Sequence, residues 1–203
     1  MRDDMNSAAS TVTDDDTARW HRDARAGVLL LGLAAAGVPF LQQVMNVLFL
    51  VGAPKHVGPV SVTAIIVMAA FLLGFAGANA LSKTPLPSAK WLLTFNFVAV
   101  GVVIVGNKVL HVPIVQSLTV LSMLGAVVIY LMQVDRHVRP AAPRLLWWLP
   151  IAFLVAIGVV IAAQRLVDDE TQVMLVGAAG VLSLLNVPLL LVPVMDLRKA
   201  LRD

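Results

Sequence analysis

The sequence contains no cysteine, and it has few charged residues for a chain of 203 residues. The lack of cysteine excludes disulfide bonds, thiolate metal ligands and a cysteine nucleophile. Charged residues make up 13% of the chain, whereas soluble domains carry roughly 25%. Aromatic residues contribute only 6%. The scarcity of charge argues against a soluble domain, because the surface of such a domain needs many charged side chains.

Apolar residues are correspondingly abundant in the sequence. Hydrophobic residues make up 59% of the sequence, and the mean hydropathy is +0.88. A soluble fold of this size could not bury so much apolar surface, so the composition predicts an integral membrane protein. The net charge of +3 and the pI of 9.7 do not indicate nucleic-acid binding, because the basic residues lie at the ends of apolar runs.

Long apolar segments alternate with short polar connections along the chain. A helix crosses the hydrocarbon core of a bilayer with about 20 residues, and six segments are long enough. The connections are too short for a soluble domain. We therefore expect an all-α, polytopic six-helix transmembrane bundle over 26–203, after a tail, 1–25, that holds a short juxtamembrane amphipathic helix. The predicted spans are 26–51, 58–80, 91–110, 112–133, 145–166 and 172–195.

Lysine and arginine are distributed unequally over the ends of these spans. Twelve fall on the side of the two termini, and only Lys55, Lys108 and Arg165 fall on the other side. Cytoplasmic connections carry the excess of basic residues in membrane proteins. The pattern predicts a multi-pass protein of the plasma (inner) membrane with both termini in the cytoplasm. A signal peptide cleaved after 34–36 is the alternative, and it would leave five spans.

One apolar string occurs twice. Residues 98–110 read VAVGVVIVGNKVL, and residues 155–167 read VAIGVVIAAQRLV. The same shift superposes the third predicted span on the fifth, and a slightly larger one aligns the fourth with the sixth. The pattern indicates a helical-hairpin repeat in two or three parallel copies, of which the copy formed by the first two spans is the weakest. Chance similarity between valine- and leucine-rich segments is the alternative.

Polar residues near the outer ends of the predicted spans form one candidate ligand site. Their positions along the spans place them at the membrane interface, where long basic side chains reach water. A weakly positive collar of this kind would suit an anionic ligand, and ordinary anchoring of the helix ends is the alternative. The residues are Gln42, Gln43, Asn107, Lys108 and Arg165.

A second candidate site lies near the middle of the predicted spans. Ser122, Ser183 and Asn186 are each about 15–20 Å from a helix end, at about 1.5 Å per residue. Pro188 follows Asn186 closely and frees a backbone carbonyl in the same helix. Such a group could bind a ligand at a break in the sixth helix. Hydrogen bonding between helices, without any ligand, is the alternative.

Acidic residues are missing from all six predicted spans. Proton relays and intramembrane acid chemistry depend on such groups. The sequence also holds no phosphate-binding glycine loop and no histidine pair at the spacing of a helical metal site. We therefore expect no enzymatic activity, no cofactor and no metal. The leading hypothesis is an accessory subunit that packs in the bilayer against another membrane protein or itself. The alternative is a small carrier or solute-binding component for a neutral or weakly anionic molecule.

Overall fold

The computed structural model describes residues 14–50, 59–105, 113–140, 145–163 and 169–201. These residues form six α-helices and, within the described ranges, no strand. The predicted all-α fold is confirmed. The helices are α1 (Asp14–Leu50), α2 (Pro59–Leu81), α3 (Lys90–Val105), α4 (Pro113–Val138), α5 (Leu145–Ala163) and α6 (Asp169–Ala200).

The six helices form a closed ring. Each helix packs against the next one along the chain, and α6 packs against α1. The most extensive contacts join α1 to α2, α1 to α6, and α5 to α6. Helix α1 also contacts α4 across the ring. Helix α4 contacts α2 and α6 as well, so it touches every other helix, while α1 has the most extensive contacts with its two neighbours.

Helix α1 begins earlier than the first predicted span. The segment expected to form a separate juxtamembrane helix is part of α1, which is helical without a break from Asp14 to Leu50. Asp16 lies in its first turn, where an acidic residue interacts favourably with the helix dipole. The basic residues that precede the apolar run therefore lie on a rigid extension of the first helix.

Hydrogen bonds between elements define one end of the bundle, which we call the His21 end. The Nδ1 atom of His21 lies 2.7 Å from the backbone oxygen of Leu201, which joins α1 to the end of α6. The hydroxyl of Tyr130 on α4 donates to the backbone oxygen of Pro87, in the α2–α3 connection, at 2.7 Å. The main hydrophobic cluster reaches this end and includes Val28, Leu81 and most of the buried face of α4.

Glycines allow α1 and α2 to approach closely near the His21 end. A methyl group on Gly27 would lie 2.6 Å from Cγ of Leu81 and 2.9 Å from the backbone oxygen of Gly77. A methyl group on Gly77 would lie 2.9 Å from two side-chain atoms of Leu31. No larger residue fits at either glycine without displacing a neighbouring helix. Close contact of this kind is how helices associate where lipid provides no hydrophobic driving force.

Three helices are long and apolar enough to cross a membrane. They are the stretches Asp16–Met45 in α1, Leu118–Val138 in α4 and Val173–Ala200 in α6. In α2, α3 and α5 the described apolar stretches are shorter, at 10–17 residues. Large apolar side chains such as Ile65, Phe97 and Val159 are exposed on the outside of the ring. These features indicate a membrane protein, and six spans remain a prediction.

The repeated string can be compared with burial in α3 and α5. Shifting α3 onto α5 superposes outward positions, since Trp91 and Trp148 are both exposed, as are Val98 and Val155. The buried positions do not coincide. Leu92, Asn96, Ala99 and Val103 are buried in α3, and the matching positions of α5, namely 149, 153, 156 and 160, are only partly buried. The similarity thus lies on the outward face, and the hairpin repeat stays a prediction.

Candidate functional site

Two polar residues are fully buried on the inward face of α6. Ser183 and Asn186 are one helical turn apart and both have zero relative exposure. The Oγ atom of Ser183 and both side-chain polar atoms of Asn186 have no hydrogen-bond partner among the described residues. Leaving such a buried polar atom unsatisfied costs about 1–3 kcal/mol. These two side chains therefore reduce the stability of the bundle unless something else binds them.

The register between α1 and α6 shows what lies opposite this pair. The two helices run antiparallel, because His21 meets Leu201 and a methyl group on Gly32 would lie 2.7 Å from a side-chain atom of Val194. Counting eleven residues along each helix from the contact between Gly32 and Val194 brings Gln43 to about the level of Ser183. Gln43 is also buried, with 2% of its surface exposed. We call the level of Gln43, Ser183 and Asn186 the polar level.

Two prolines interrupt the backbone hydrogen bonding of the same two helices near the polar level. Pro39 lies inside α1 and Pro188 inside α6. The register places Pro39 opposite the residues next to Asn186. A proline cannot donate to the carbonyl four residues earlier, so the backbone oxygens of Ala35 and Leu184 each lose their helical donor. Ala35 is fully buried. The α1–α6 interface thus combines buried polar side chains with the freed carbonyl group of Ala35, whereas Leu184 lies on the exposed face of α6.

The depth of the polar level follows from helix geometry. Asn186 is twelve residues from Arg198, or about 18 Å along α6 at 1.5 Å per residue. Gln43 is eighteen residues from Arg25, or about 27 Å along α1 by the same rise. The hydrocarbon core of a bilayer is about 30 Å thick. The polar level therefore extends from just past the middle of the spans toward the end opposite the His21 end.

Ser122 is not brought together with Ser183 and Asn186. It lies on an exposed face of α4, and its hydroxyl donates to the backbone oxygen of Leu118, one turn earlier, at 2.8 Å. A serine in a helix satisfies its hydroxyl in this way when no other acceptor is available. The sequence placed Ser122 at the right depth but could not show which way the side chain faces.

The predicted outer collar is only partly covered by the structure. Gln43 is buried and Gln42 beside it is half-buried, both in the last turns of α1. Asn107, Lys108 and Arg165 lie outside the described residues. The collar therefore stays a prediction, and Gln43 contributes to the polar level as well.

One buried polar residue was missed by the sequence analysis. Asn96 on α3 is 2% exposed, and neither of its side-chain polar atoms has a hydrogen-bond partner in the described part of the chain. It lies against α2, where a methyl group on Gly74 would come 3.3 Å from its Nδ2 atom. A lone amide in the run "WLLTFNFVAV" is the signal that could have identified it. The α1–α2 contacts put Gly74 close to the level of Gly32, so Asn96 lies nearer the His21 end than the polar level does.

Within the described ranges, few other side chains could bind a metal ion or a charged ligand. No group of three or more His, Asp or Glu residues there could hold a metal ion. The polar level itself contains no charged side chain within α1 or α6. What the site offers is a set of neutral hydrogen-bond donors and acceptors. No family model, curated protein or solved structure matches the chain.

Proposed function

We propose that the protein is a non-enzymatic, membrane-embedded binding component for a small, neutral, polar solute. The observation that supports this is the pair of fully buried, unpartnered side chains on α6, Ser183 and Asn186. Serine and asparagine each carry both donors and acceptors. A solute with hydroxyl or amide groups would satisfy them and recover the free energy that their burial costs.

The surroundings of the pair support a solute rather than a purely structural role. Hydrogen bonds between helices would explain buried Ser and Asn if each had a partner on a neighbouring helix, and neither has one among the described residues. Pro39 adds a freed carbonyl acceptor, that of the buried Ala35, in the same interface. Because neither helix has a charged side chain at the polar level, the site favours a neutral solute over an ion.

We further propose that the His21 end faces the cytoplasm of the plasma membrane and that all six helices span it. Arg19, Arg22, Lys83, Arg136 and Lys199 support this orientation, because they belong to the helix ends and the connection at the His21 end. A solute would then reach the polar level from the opposite, external side. Gln43, nearest that side, would be the first of the three polar residues it meets.

Single cysteines can test access to the polar level, because the chain has none of its own. We expect Ser183→Cys and Asn186→Cys to react with a small, charged methanethiosulfonate reagent applied outside intact cells. Leu190→Cys is the matched control, since Leu190 is fully buried on the same face of α6 but closer to the His21 end. Leu184→Cys, on the exposed apolar face, controls for reaction through lipid. Reaction at Leu190→Cys but not at Ser183→Cys would contradict the proposal.

Solute binding itself is measured on the purified, full-length protein. We expect a panel of uncharged hydroxyl and amide compounds, including glycerol, acetamide and benzamide, to contain members that raise the thermal unfolding midpoint. Benzoate, the charged counterpart of benzamide, should not raise it. The increase should disappear in Asn186→Leu, which replaces the polar amide with an apolar side chain of similar size. An equal increase in Asn186→Leu would remove Asn186 from the site, and no increase with any compound would contradict the proposed function.

The accessory-subunit hypothesis remains a second proposal, and the outward face of α6 favours it. In the most apolar stretch of α6, 28% of the residues are buried inside the bundle, compared with 50% in the corresponding stretches of α1 and α4. A methyl group on Gly177 or Gly180 of α6 would meet no atom of a neighbouring element within 4 Å, in contrast to the packed glycines of α1 and α2. Small residues on an open face let a second helix approach closely. We propose that an apolar transmembrane helix of another membrane protein occupies this face.

Extraction in a mild detergent tests the second proposal. We expect a stoichiometric membrane protein to co-purify with the wild-type chain and to be lost in Gly180→Leu. Gly101→Leu is the control, because Gly101 is equally open but lies on α3. Recovery of only the free chain would contradict the accessory role, and recovery of a homodimer would assign the face to a second copy.

A further inference from the structure

Two arginines lie on facing stripes of α1 and α6 near the His21 end. On α1, His21 and Gly32 both face α6, and Arg25 lies between them at a spacing of four and seven residues. On α6, Val194 and Leu201 meet α1, and Arg198 lies between them at a spacing of four and three residues. Residues at these spacings share one face of a helix. Arg25 and Arg198 are therefore neighbours at one level of the α1–α6 interface.

The two guanidinium groups are poorly satisfied by the protein. The Nε atom of Arg25 donates to the backbone oxygen of His21 on its own helix, at 3.3 Å. The Nε atom of Arg198 is buried and has no hydrogen-bond partner among the described residues. Two adjacent, partly buried cations repel each other and lose hydration. An anion bound between them would offset this repulsion.

Among the residues that the structure describes, the acidic side chains near this end do not supply such an anion. Asp135 binds Arg139 through a 2.8 Å hydrogen bond from Nε. Asp196 is exposed and lies 3.9 Å from the Nζ atom of Lys199. Asp23 and Asp16, two and nine residues before Arg25, are on the opposite side of α1 from it. Within the described residues, no carboxylate is paired with Arg25 or Arg198.

The arginine pair lies at the level where lipid headgroups are found. Both helices are long and apolar enough to cross a membrane. The apolar run of α1 begins just after Arg25, and that of α6 ends just before Asp196. Trp20 stacks on His21 with ring centroids 3.9 Å apart, one residue from the same stripe. Aromatic rings of this kind occupy the membrane–water interface. An anionic headgroup would therefore meet the arginines without crossing apolar surface.

We propose that Arg25 and Arg198 bind the phosphate group of an anionic membrane lipid in the groove between α1 and α6. Guanidinium groups bind phosphate oxygens through two parallel, charge-assisted hydrogen bonds. Basic pockets between transmembrane helices recognise headgroups through this chemistry. The site is about 18 Å along α6 from Asn186 at 1.5 Å per residue, so it is independent of the proposed solute site.

Native mass spectrometry of the full-length protein, released from detergent with phosphatidylglycerol and phosphatidylcholine in equal amounts, tests this proposal. We expect the wild-type chain to retain phosphatidylglycerol at least tenfold more than phosphatidylcholine. Arg198→Gln and Arg25→Gln should each abolish that preference. Arg136→Gln is the matched control, because it removes the same charge from an exposed position on α4. Equal retention of both lipids, or the same loss in Arg136→Gln, would overturn the proposal.

Two further measurements distinguish a specifically bound lipid from a general effect of charge and from binding of free phosphate. Arg198→Lys keeps the charge but not the two-pronged donor, so we expect an intermediate preference for phosphatidylglycerol. If it matches the wild type, net charge alone accounts for the preference and the geometric site is refuted. Addition of millimolar inorganic phosphate should leave the retained phosphatidylglycerol in place. Displacement of the lipid by inorganic phosphate would assign the arginines to free phosphate instead.

Discussion

Apart from the Nε atom of Arg198, the buried polar groups described at the His21 end have partners, whereas two of those at the polar level do not. At the His21 end, Tyr130 and His21 each form a hydrogen bond of 2.7 Å to another element, and Asp135 is paired with Arg139. At the polar level, Ser183 and Asn186 are equally well buried but have no partner among the described residues. The same two helices, α1 and α6, pass through both regions.

Whether a buried polar group has a partner distinguishes residues that stabilise the fold from residues whose burial the fold does not require. A buried polar group with a partner adds roughly 1 kcal/mol to stability, and one without a partner subtracts a comparable amount. Arranging α1 against α6 does not require the polar level, because Val194, Leu197 and Leu190 already provide an apolar contact face. The unpaired side chains are thus candidates for binding, and the paired ones are not.

The largest expected effect contrasts packing in the two regions along one helix. A methyl group on Gly27, near the His21 end, would meet Leu81 and Gly77 within 3 Å, and one on Gly37, near the polar level, would meet nothing within 4 Å. Gly27→Leu should lower the free energy of unfolding by about 3 kcal/mol, the upper part of the range for overpacking. Gly37→Leu should leave it unchanged or raise it slightly. Thermal unfolding in detergent measures both, and equal losses would remove the contrast.

The buried ion pair gives the next largest effect. Arg139→Gln leaves the buried carboxylate of Asp135 without its guanidinium partner, which should cost about 2 kcal/mol, less than for a fully buried pair because Arg139 is partly exposed. Arg136→Gln removes the same charge from an exposed position one turn earlier and should change stability by less than about 0.5 kcal/mol. Indistinguishable unfolding midpoints for the two variants would show that Asp135 does not depend on Arg139.

Loss of a single hydrogen bond at the His21 end should have a moderate effect. Tyr130→Phe keeps the aromatic ring that lies 6.1 Å from the ring of Trp91 and removes only the bond to Pro87. We expect a loss of about 1 kcal/mol in the free energy of unfolding. Faster proteolysis within the α2–α3 connection is the accompanying measurement, because the bond ties that connection to α4. An unchanged cleavage rate would argue that other contacts hold it.

Hydropathy predicted the helices of this fold well. The starts of α2, α4 and α5 lie within one residue of the predicted positions, because short connections with proline, glycine and charge interrupt the apolar runs. The first predicted span starts twelve residues after α1 begins, because the residues before it were predicted to form a separate short helix. Polar but helix-compatible residues extend α1 beyond its apolar part, and hydropathy does not detect a helix that continues into water.

The direction of side chains was the part that the sequence could not supply. Ser122 and Ser183 lie at similar depths, but the first is exposed and the second is buried. Asn96 was overlooked although it is as deeply buried as Gln43. A helix that is apolar on all sides has no amphipathic periodicity, so its pattern does not show which face is inward. Only the packing of the six helices determines that choice.

The smallest expected effect tests the comparison most directly, because its sign should differ between the two regions. Thr84→Val removes a hydroxyl that donates to the backbone oxygen of Leu81 at 2.7 Å, and should cost about 0.5–1 kcal/mol. Ser183→Ala removes a hydroxyl without a described partner, and should leave the solute-free protein unchanged or more stable by up to about 1 kcal/mol. If both substitutions destabilise the purified protein equally, Ser183 has a structural partner in solution. The polar level would then resemble the His21 end, and a solute there would depend on Asn186 alone.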